Sequence, residues 1–258
     1  EATRLVTRVR QNFEIELSLR AFFEAPTIHQ LSTKIHQSLH TNIPDIKRVS
    51  RDQSIQLSFA QERLWFIDQW VPGNPIYNLL MTARITNEID HSALDFALTE
   101  IMTRHEVLRT TFVAINGEPR QRFSPPQPQK FIHHDLTTLE AIDQQEIEEL
   151  LLRDEALYRF DLTNGPLLRG SCIQLNENHS VLMMNMHHIV SDGWSIGIII
   201  HEFLHFYEAY VNQTESTLVD LPIQYADFAV WQKQWLSGDR LQSQTDYWRR
   251  HLANLSIL

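Results

Sequence analysis

Two adjacent histidines, His187 and His188, are followed within one short segment by Asp192 and Gly193. An imidazole has an unperturbed pKa of about 6.5, so at neutral pH it can accept a proton from an attacking nucleophile. Successive side chains of a strand point to opposite faces, so both histidines cannot face one site. His188 lies nearer the open end of the strand, where ligands gather in α/β proteins. We therefore predict that His188 carries the chemistry and that His187 packs.

The pattern around this pair indicates the elements that position it. The apolar run 181–186 has the length of a strand, and Asp192-Gly193 is a turn dipeptide that stops it. Beyond the turn, apolar residues recur at helical spacing, namely Ile196, Ile199, Ile200, Phe203, Leu204 and Tyr207. The sequence thus predicts a strand, a turn that carries the polar residues, and a helix.

Metal binding is an alternative use of such residues, because imidazole and carboxylate both bind zinc. Adjacent histidines on a strand diverge, and no nearby His-x-His or cysteine pair completes a tetrahedral set, so we predict no metal site here. A second pair, His133-His134, has neither an Asp-Gly turn nor an apolar helix behind it. We interpret 131–136 as a plain strand edge.

Local signals predict further elements along the chain. Asn116-Gly117 indicates a hairpin, 176–179 joins two strands, and Ser58 with Gln61 indicates a capping box. Apolar positions at helical spacing predict one helix through Leu5, Val6, Val9 and Phe13, and another, capped by Thr27, through Ile28, Leu31, Ile35 and Leu39. Other helices are predicted at 92–105, 225–236 and 240–252.

An acidic helix is predicted at about 140–157. Its apolar side is expected to consist of Ile142, Ile147, Leu150, Leu151 and Leu157. Its acidic residues are expected to form a solvated face, and they are Glu140, Asp143, Glu146, Glu148, Glu149, Asp154 and Glu155.

Composition excludes several classes of function. The 258 residues carry a formal net charge of −10, from 32 acidic and 22 basic residues, which disfavours nucleic acid as a partner. Cys172 is the only cysteine, so no intrachain disulfide forms, and its apolar setting predicts a buried strand residue rather than a nucleophile. No apolar run approaches the roughly 20 residues of a membrane span. We expect no membrane association and a soluble, cytoplasmic protein.

The segment 187–193, His-His-Ile-Val-Ser-Asp-Gly, resembles the His-His-x-x-x-Asp-Gly signature of the condensation domains of nonribosomal peptide synthetases. Those domains belong with the chloramphenicol acetyltransferase-like acyltransferases. Other segments resemble the family in the family's order: Leu-Ser-Phe-Ala-Gln-Glu-Arg-Leu-Trp-Phe at 57–66, Arg-His-Glu-Val-Leu-Arg-Thr-Thr-Phe at 104–112, and Tyr-Ala-Asp-Phe-Ala-Val-Trp-Gln at 225–232. The resemblance covers essentially the whole chain.

The resemblance implies an α/β fold, a chloramphenicol acetyltransferase-like sandwich with a mixed sheet and packed helices. Residues 55–258 would be the first of two lobes that have the active site between them. Residues 1–40 are similar to the later, all-helical part of a peptidyl carrier domain, and the polar stretch 41–54 is predicted as a linker. The family's Gly-Gly-x-Ser attachment motif does not occur in this sequence, so the attachment serine is expected to be missing.

The family's reaction joins an upstream acyl or peptidyl thioester to the amine of a downstream aminoacyl thioester. Both substrates are carried as 4′-phosphopantetheine thioesters on partner carrier domains. Further partners implied are an adenylation domain and the C-terminal condensation lobe. His188 would accept the proton of the amine or orient the amine, and the sequence leaves both roles open.

The resemblance also implies supporting roles for residues near His188. Asp192 is implied in a buried ion pair with Arg104, Arg109 or an arginine of the second lobe, and the alternative is a plain helix cap. Gly193 would permit close approach of a pantetheine arm or an unusual backbone angle. Trp194 would line a tunnel or pack in the core.

Two other functions remain open at this point. The domain could be a noncatalytic docking platform, against which the intact His188 and Asp192 argue. It could instead be a freestanding acyltransferase that uses coenzyme A, against which the carrier-like residues 1–40 argue.

Overall fold

The computed structural model describes residues 2–13, 15, 17–37, 44–253 and 255. The chain divides into two compact units, Glu1–Asp45 and Ile46–Leu258. Each unit has its own hydrophobic core.

The regular elements among the described residues of the first unit are helices, as the sequence predicts. It contains α1 (Ala2–Phe13), α2 (Leu19–Phe23) and α3 (Ile28–Gln37). Thr27 caps α3 by accepting the backbone N–H of Gln30 at 3.2 Å. The core is formed by Val6, Val9, Ile15 and Leu17, against which Ala21, Phe22, Leu31 and Ile35 pack. Leu5, Phe13 and Ile28, predicted on the apolar faces, are exposed instead, and Leu39 lies outside the described residues.

The second unit begins with β1 (Ile55–Gln56), α4 (Phe59–Trp70), β2 (Asn78–Ile85) and α5 (His91–Arg104). It continues with β3 (Thr110–Ile115), β4 (Glu118–Phe123), β5 (Ile132–Asp135), α6 (Ala141–Ala156), β6 (Leu168–Asn176) and β7 (His179–His187). It ends with α7 (Gly193–Val211), α8 (Tyr225–Trp235) and α9 (Gly238–His251). Two short 3₁₀ turns, Pro75–Tyr77 and Glu106–Arg109, precede β2 and β3.

The strands form two sheets. One has the order β1-β4-β3 and the other the order β2-β7-β6-β5. In the four-stranded sheet β2, β7 and β6 are antiparallel, whereas β5 is parallel to β6, so the sheet is mixed as predicted. The β3–β4 hairpin turns at Asn116 and Gly117, whose positive φ angles of 53° and 82° are those of a tight hairpin turn.

Helices cover both faces of the four-stranded sheet. Met184 and Met186 of β7 share a core with α5 and α7, whereas Val181 and Met183 face α6. Cys172 follows the same alternation and is buried on the α5 and α7 side. Burial raises the pKa of its thiol to about 11, so Cys172 is a buried strand residue and is poorly suited to act as a nucleophile, as the sequence predicts.

The orientation predicted for α6 is wrong in part. Ile142, Leu150 and Leu157 are exposed, whereas Glu148 and Glu155 are buried. Glu148 pairs with Arg84 at 2.5 Å, and Glu155 pairs with Arg169 at 2.8 Å. Arginines on the sheet therefore draw two acidic residues inward, and hydrophobic spacing within the helix does not reveal them.

The predicted linker 41–54 is not uniform. Residues 41–43 lie outside the described residues, and 46–54 belong to the second unit. There the backbone N–H of Val49 donates to Asp227 Oδ1 at 2.9 Å. Arg51 forms ion pairs of 2.7 Å with both Asp227 and Glu106. This stretch is thus fastened to α8 and to the turn before β3.

Among the described residues, no helix combines the length and the apolar character needed to cross a membrane.

Candidate functional site

The site begins where β7 ends, at His187. The His187 N–H donates to Leu167 O at 3.0 Å, and the His188 N–H donates to Tyr77 O at 2.8 Å. Val190 N–H then donates to His187 O at 3.1 Å, which closes the turn. Backbone hydrogen bonds from two neighbouring segments therefore fix the position of both histidines.

His187 is a buried, neutral residue. Only 4% of it is exposed, and its Nδ1 accepts the backbone N–H of Ile189 at 3.1 Å. The rings of Tyr77 and Phe160 lie 6.2 Å from its ring, centroid to centroid. Burial, reinforced by the neighbouring His188, lowers the pKa of His187 to about 4. His187 thus shapes the turn and does not face the cavity.

His188 is exposed and lines a cavity of about 550 Å³. That volume lies within the usual range for small-molecule sites. Within the described part of the chain, its imidazole forms no hydrogen bond, so both ring nitrogens are available to a ligand. The walls of the cavity are mainly apolar and include Leu64, Val107, Ile198, Ile199, Ile223 and Phe228.

A few polar groups also line this cavity. Gln61 Nε2 donates to Ile189 O at 3.4 Å, so the start of α4 supports the turn that carries His188. The Tyr225 hydroxyl lies 2.9 Å from Ser58 Oγ. Burial raises the pKa of Tyr225, and this hydrogen bond opposes the rise only in part, so the phenol stays protonated. Ser191 Oγ is buried and has no hydrogen-bond partner among the described residues.

Asp192 caps α7. Its Oδ1 accepts the backbone N–H of Ser195 at 2.8 Å and the Ser195 hydroxyl at 2.7 Å. These hydrogen bonds, the side-chain one above all, lower the pKa of Asp192. In the structure Asp192 is therefore a helix cap, which the sequence analysis gave as the alternative to an ion pair.

The two arginines expected near Asp192 lie elsewhere, which corrects that expectation. Arg104 ends α5 facing the middle of α7, where its Nε is 3.1 Å from Glu202 Oε2, and its Nη2 donates to Val219 O at 2.7 Å. Arg109 donates to Ser124 O at 2.6 Å, beside the three-stranded sheet. No ion pair of Asp192 is formed between residues that the structure describes.

Gly193 and Trp194 also differ from expectation. Gly193 has no left-handed backbone angle, and a Cβ placed on it would meet no atom within 4 Å. A backbone requirement for glycine is therefore excluded, and close approach of a ligand stays a prediction. Trp194 is 62% exposed, so it is not a core residue, and it is not among the residues that line the cavity.

His105 forms another part of the cavity wall. Its Nε2 is 2.6 Å from Glu202 Oε2, the carboxylate that also binds Arg104. Gln224, which lines the cavity as well, donates to Arg104 O at 2.9 Å and accepts the Glu106 N–H at 3.0 Å. One hydrogen-bonded network thus joins α5, α7 and the start of α8 behind the cavity.

Comparison with known proteins identifies the families to which the two parts of the chain are similar. Residues 51–258 match the condensation domain family, and residues 1–35 match the phosphopantetheine attachment site family. The chain belongs to the condensation domain family. The carrier-like nature predicted for the N-terminal residues is confirmed by the second match.

Similar sequences are parts of much longer proteins. One of the linear gramicidin synthase proteins of Brevibacillus parabrevis is 42% identical over 264 residues, an alignment that covers 100% of this chain and 3% of that protein. Malpinin synthetase of Mortierella alpina is 37% identical over 260 residues, with the same coverage of 100% and 3%. The chain therefore spans a small part of these relatives.

Solved condensation-type domains share the fold. The X-domain from teicoplanin biosynthesis superposes with a TM-score of 0.73 at 26% identity, over 83% of this chain and 46% of that one. The starter condensation domain of rhizomide synthetase RzmA superposes with a TM-score of 0.70 at 24% identity. The superposition covers 80% of this chain and 49% of that one. The predicted chloramphenicol acetyltransferase-like fold is thereby confirmed.

Sequence reasoning missed several residues of this condensation-domain cavity. Gln61, His105 and Tyr225 were regarded as capping or structural residues, yet all three line the cavity. Each belongs to one of the segments that resemble the family, at 57–66, 104–112 and 225–232. That shared membership was the available signal, because distance along the chain hides their proximity to His188.

Proposed function

We propose that this chain supplies the first lobe of an amide-forming active site in nonribosomal peptide biosynthesis. The observation that carries the proposal is the exposed His188 imidazole, held at a strand end and open to an apolar-walled cavity. Membership of the condensation domain family and similarity to peptide synthases and synthetases support it.

In the proposed reaction, the amine of a downstream aminoacyl thioester attacks the carbonyl carbon of an upstream acyl or peptidyl thioester. The new C–N bond forms, the C–S bond breaks, and the proton lost by the amine ends on the released thiol. His188 accepts that proton or orients the amine, and no covalent bond to the protein is needed. The hydrogen bond from the His188 N–H to Tyr77 O and the one from Gln61 to Ile189 O fix the main chain at His188, which places the side chain at the cavity. A reacting group positioned before the substrate binds lowers the entropic cost of the attack.

The cavity fits a 4′-phosphopantetheine arm brought by a partner carrier domain. Its mainly apolar walls suit the methylene groups of the arm. Bound there, the arm delivers the thioester that reacts. The proposed partners are upstream and downstream carrier domains, an adenylation domain and a C-terminal condensation lobe, in the cytoplasm.

Substitution of His188 tests the proposal in a protein that carries this chain together with the rest of its condensation domain. Positioned proton transfer typically contributes about a hundred- to ten-thousandfold, so His188→Ala is expected to reduce single-turnover amide formation by at least about a hundredfold. His188→Gln keeps a polar side chain but cannot accept the proton, and it separates orientation from proton transfer. The readout is product formed from loaded carrier domains.

The matched control is His201→Ala, which removes an exposed histidine of α7 that does not line the cavity. It is expected to leave transfer unchanged. Wild-type amide yield from His188→Ala would refute the proposed role.

Recruitment without transfer is a second candidate, because one similar structure is an X-domain in complex with OxyB, with a TM-score of 0.74 at 26% identity. Measuring carrier binding and turnover in the same preparation distinguishes the two functions. Binding with no product from the wild-type protein would favour recruitment.

A further inference from the structure

Three potential metal ligands that are distant in sequence meet at the opposite end of α5 from the cavity. They are His91, the first residue of α5, His133 of β5 and Cys172 of β6. One ligand atom from each lies within 4.8 Å of the others. The two Nδ1 atoms of His91 and His133 are only 2.8 Å apart.

The fold itself produces this cluster. His133 and Cys172 are register partners in the parallel β5–β6 pair, so their side chains lie on the same face of the sheet. That face packs against α5, which brings in His91. The neighbouring His134 pairs with Ile173 and lies on the opposite face.

A carboxylate stands behind one of the imidazoles. Asp95, one turn after His91 on α5, lies 3.8 Å from Nε2 of His133, whose Nδ1 faces the cluster. Asp95 Oδ1 is itself held by the Phe131 N–H at 2.8 Å. At 3.8 Å the two groups are within ion-pair range but are not hydrogen-bonded. Metal-bound histidines usually donate their other ring N–H to a carboxylate, which orients the ring, and Asp95 is placed to accept such a bond after a small turn of the His133 ring.

We infer that His91, His133 and Cys172 bind one divalent transition-metal ion of the zinc type, with water as a fourth ligand. Two imidazoles and a thiolate are ligands that zinc prefers. In a tetrahedral zinc site the two nitrogens stand about 0.5 Å farther apart than 2.8 Å, since each Zn–N bond is about 2.0 Å long. The exposed His133 and the half-buried His91 can make that adjustment. Binding displaces the thiol proton of Cys172 to solvent.

The inferred site is separate from the His188 cavity. The α-helical rise makes α5 about 20 Å long, and its far end leads to His105 in the cavity wall. None of the three ligands lines the cavity. The ion would fasten the start of α5 to the β5–β6 edge, a structural role rather than a part in amide formation.

Cobalt provides the test, because the chain has a single cysteine and any thiolate-to-cobalt charge-transfer band must come from Cys172. The full chain, stripped of metal with a chelator, is titrated with Co²⁺ alone and then with Zn²⁺. We expect one Co²⁺ per chain, the charge-transfer band with tetrahedral d–d bands, and loss of both when Zn²⁺ displaces Co²⁺. Zn²⁺ should also raise the melting temperature.

Three variants complete the experiment. Cys172→Ser should abolish the charge-transfer band, and His91→Ala, which leaves the buried core intact, should weaken Co²⁺ binding at least tenfold and remove the thermal stabilisation by Zn²⁺. His134→Ala is the matched control and should bind as the wild type does. Absence of the band from the wild type, or equal losses in His91→Ala and His134→Ala, would overturn the inference.

Discussion

His187 and His188 are adjacent in the chain, yet they occupy opposite environments. The first is enclosed by Tyr77 and Phe160 and accepts a backbone N–H, whereas the second is exposed at the cavity. His187 is the last residue of β7 and His188 is the first residue of the turn that follows, so the end of the strand separates them. Burial makes the first a neutral structural residue, whereas the second is accessible from the cavity.

The burial of His187 predicts a specific dependence of stability on pH. Its pKa is about 4 in the folded protein and about 6.5 when unfolded, so between these values the unfolded chain binds the extra proton. This contribution is complete above about pH 6.5 and is lost as the pH falls towards 4. The shift corresponds to about 3 kcal/mol of unfolding free energy.

The variant His187→Asn isolates this effect, because an asparagine oxygen can accept the Ile189 N–H but does not titrate. Urea unfolding from about pH 7 to about pH 4.5 should show a steeper loss of stability for the wild type than for the variant. Parallel curves for the two proteins would contradict the assignment of His187 as a buried neutral residue.

At the scale of the element, the turn before α7 depends on a helix cap. Asp192 satisfies the Ser195 N–H and places a negative charge at the positive end of the helix dipole. The family resemblance implied a buried ion pair instead, but Arg104 and Arg109 are directed to Glu202 and Ser124. A cap requires only an oxygen acceptor, whereas an ion pair requires the charge.

Two substitutions of Asp192 distinguish these roles in the 258-residue chain. Asp192→Ala removes the cap and should lower the unfolding free energy by about 1 kcal/mol. Asp192→Asn keeps the oxygen acceptor and should lower the unfolding free energy by only a few tenths of a kcal/mol. A loss of about 3–5 kcal/mol in both variants would instead reveal a buried charge partner. Chemical denaturation at neutral pH measures all three proteins.

At the scale of the whole molecule, residues 46–54 belong to the second compact unit. Asp227 is 0% exposed, and Arg51 supplies its opposing charge while also binding Glu106. Burial raises the pKa of Asp227, but the ion pair and the backbone N–H groups of Val49 and Gln224 outweigh it and lower the pKa overall. The carboxylate is therefore ionised inside the unit and depends on a segment that sequence alone assigns to a linker.

Removal of Arg51 tests this dependence. Arg51→Ala leaves the buried Asp227 charge without its partner and should lower the unfolding free energy of the second unit by about 3 kcal/mol. Arg48→Ala, in the same segment but exposed, should change it by less than about 0.5 kcal/mol. Equal effects of the two variants in urea unfolding would mean that 46–54 is only a linker.

Much of the fold follows from signals within a few residues of each other. The Asn116-Gly117 hairpin, the Ser58–Gln61 capping box and the turn from β7 to α7 were predictable, because backbone angles and caps depend on local residue types. The separation of His187 from His188 follows from the same local geometry. The ion pair of Arg104 with Glu202 was not predictable in this way, because the two residues lie far apart in the chain.

The sequence alone determined the family, through its motifs, and the strand–turn–helix around His188, since periodicity and turn chemistry are local properties. Only the tertiary structure decided that Glu155 turns inward to Arg169, that Gln61 and Tyr225 line the cavity, and that His91, His133 and Cys172 meet. These contacts join residues far apart in the chain. They depend on which faces of sheet and helix pack together, and hydrophobic spacing within one element does not specify that pairing.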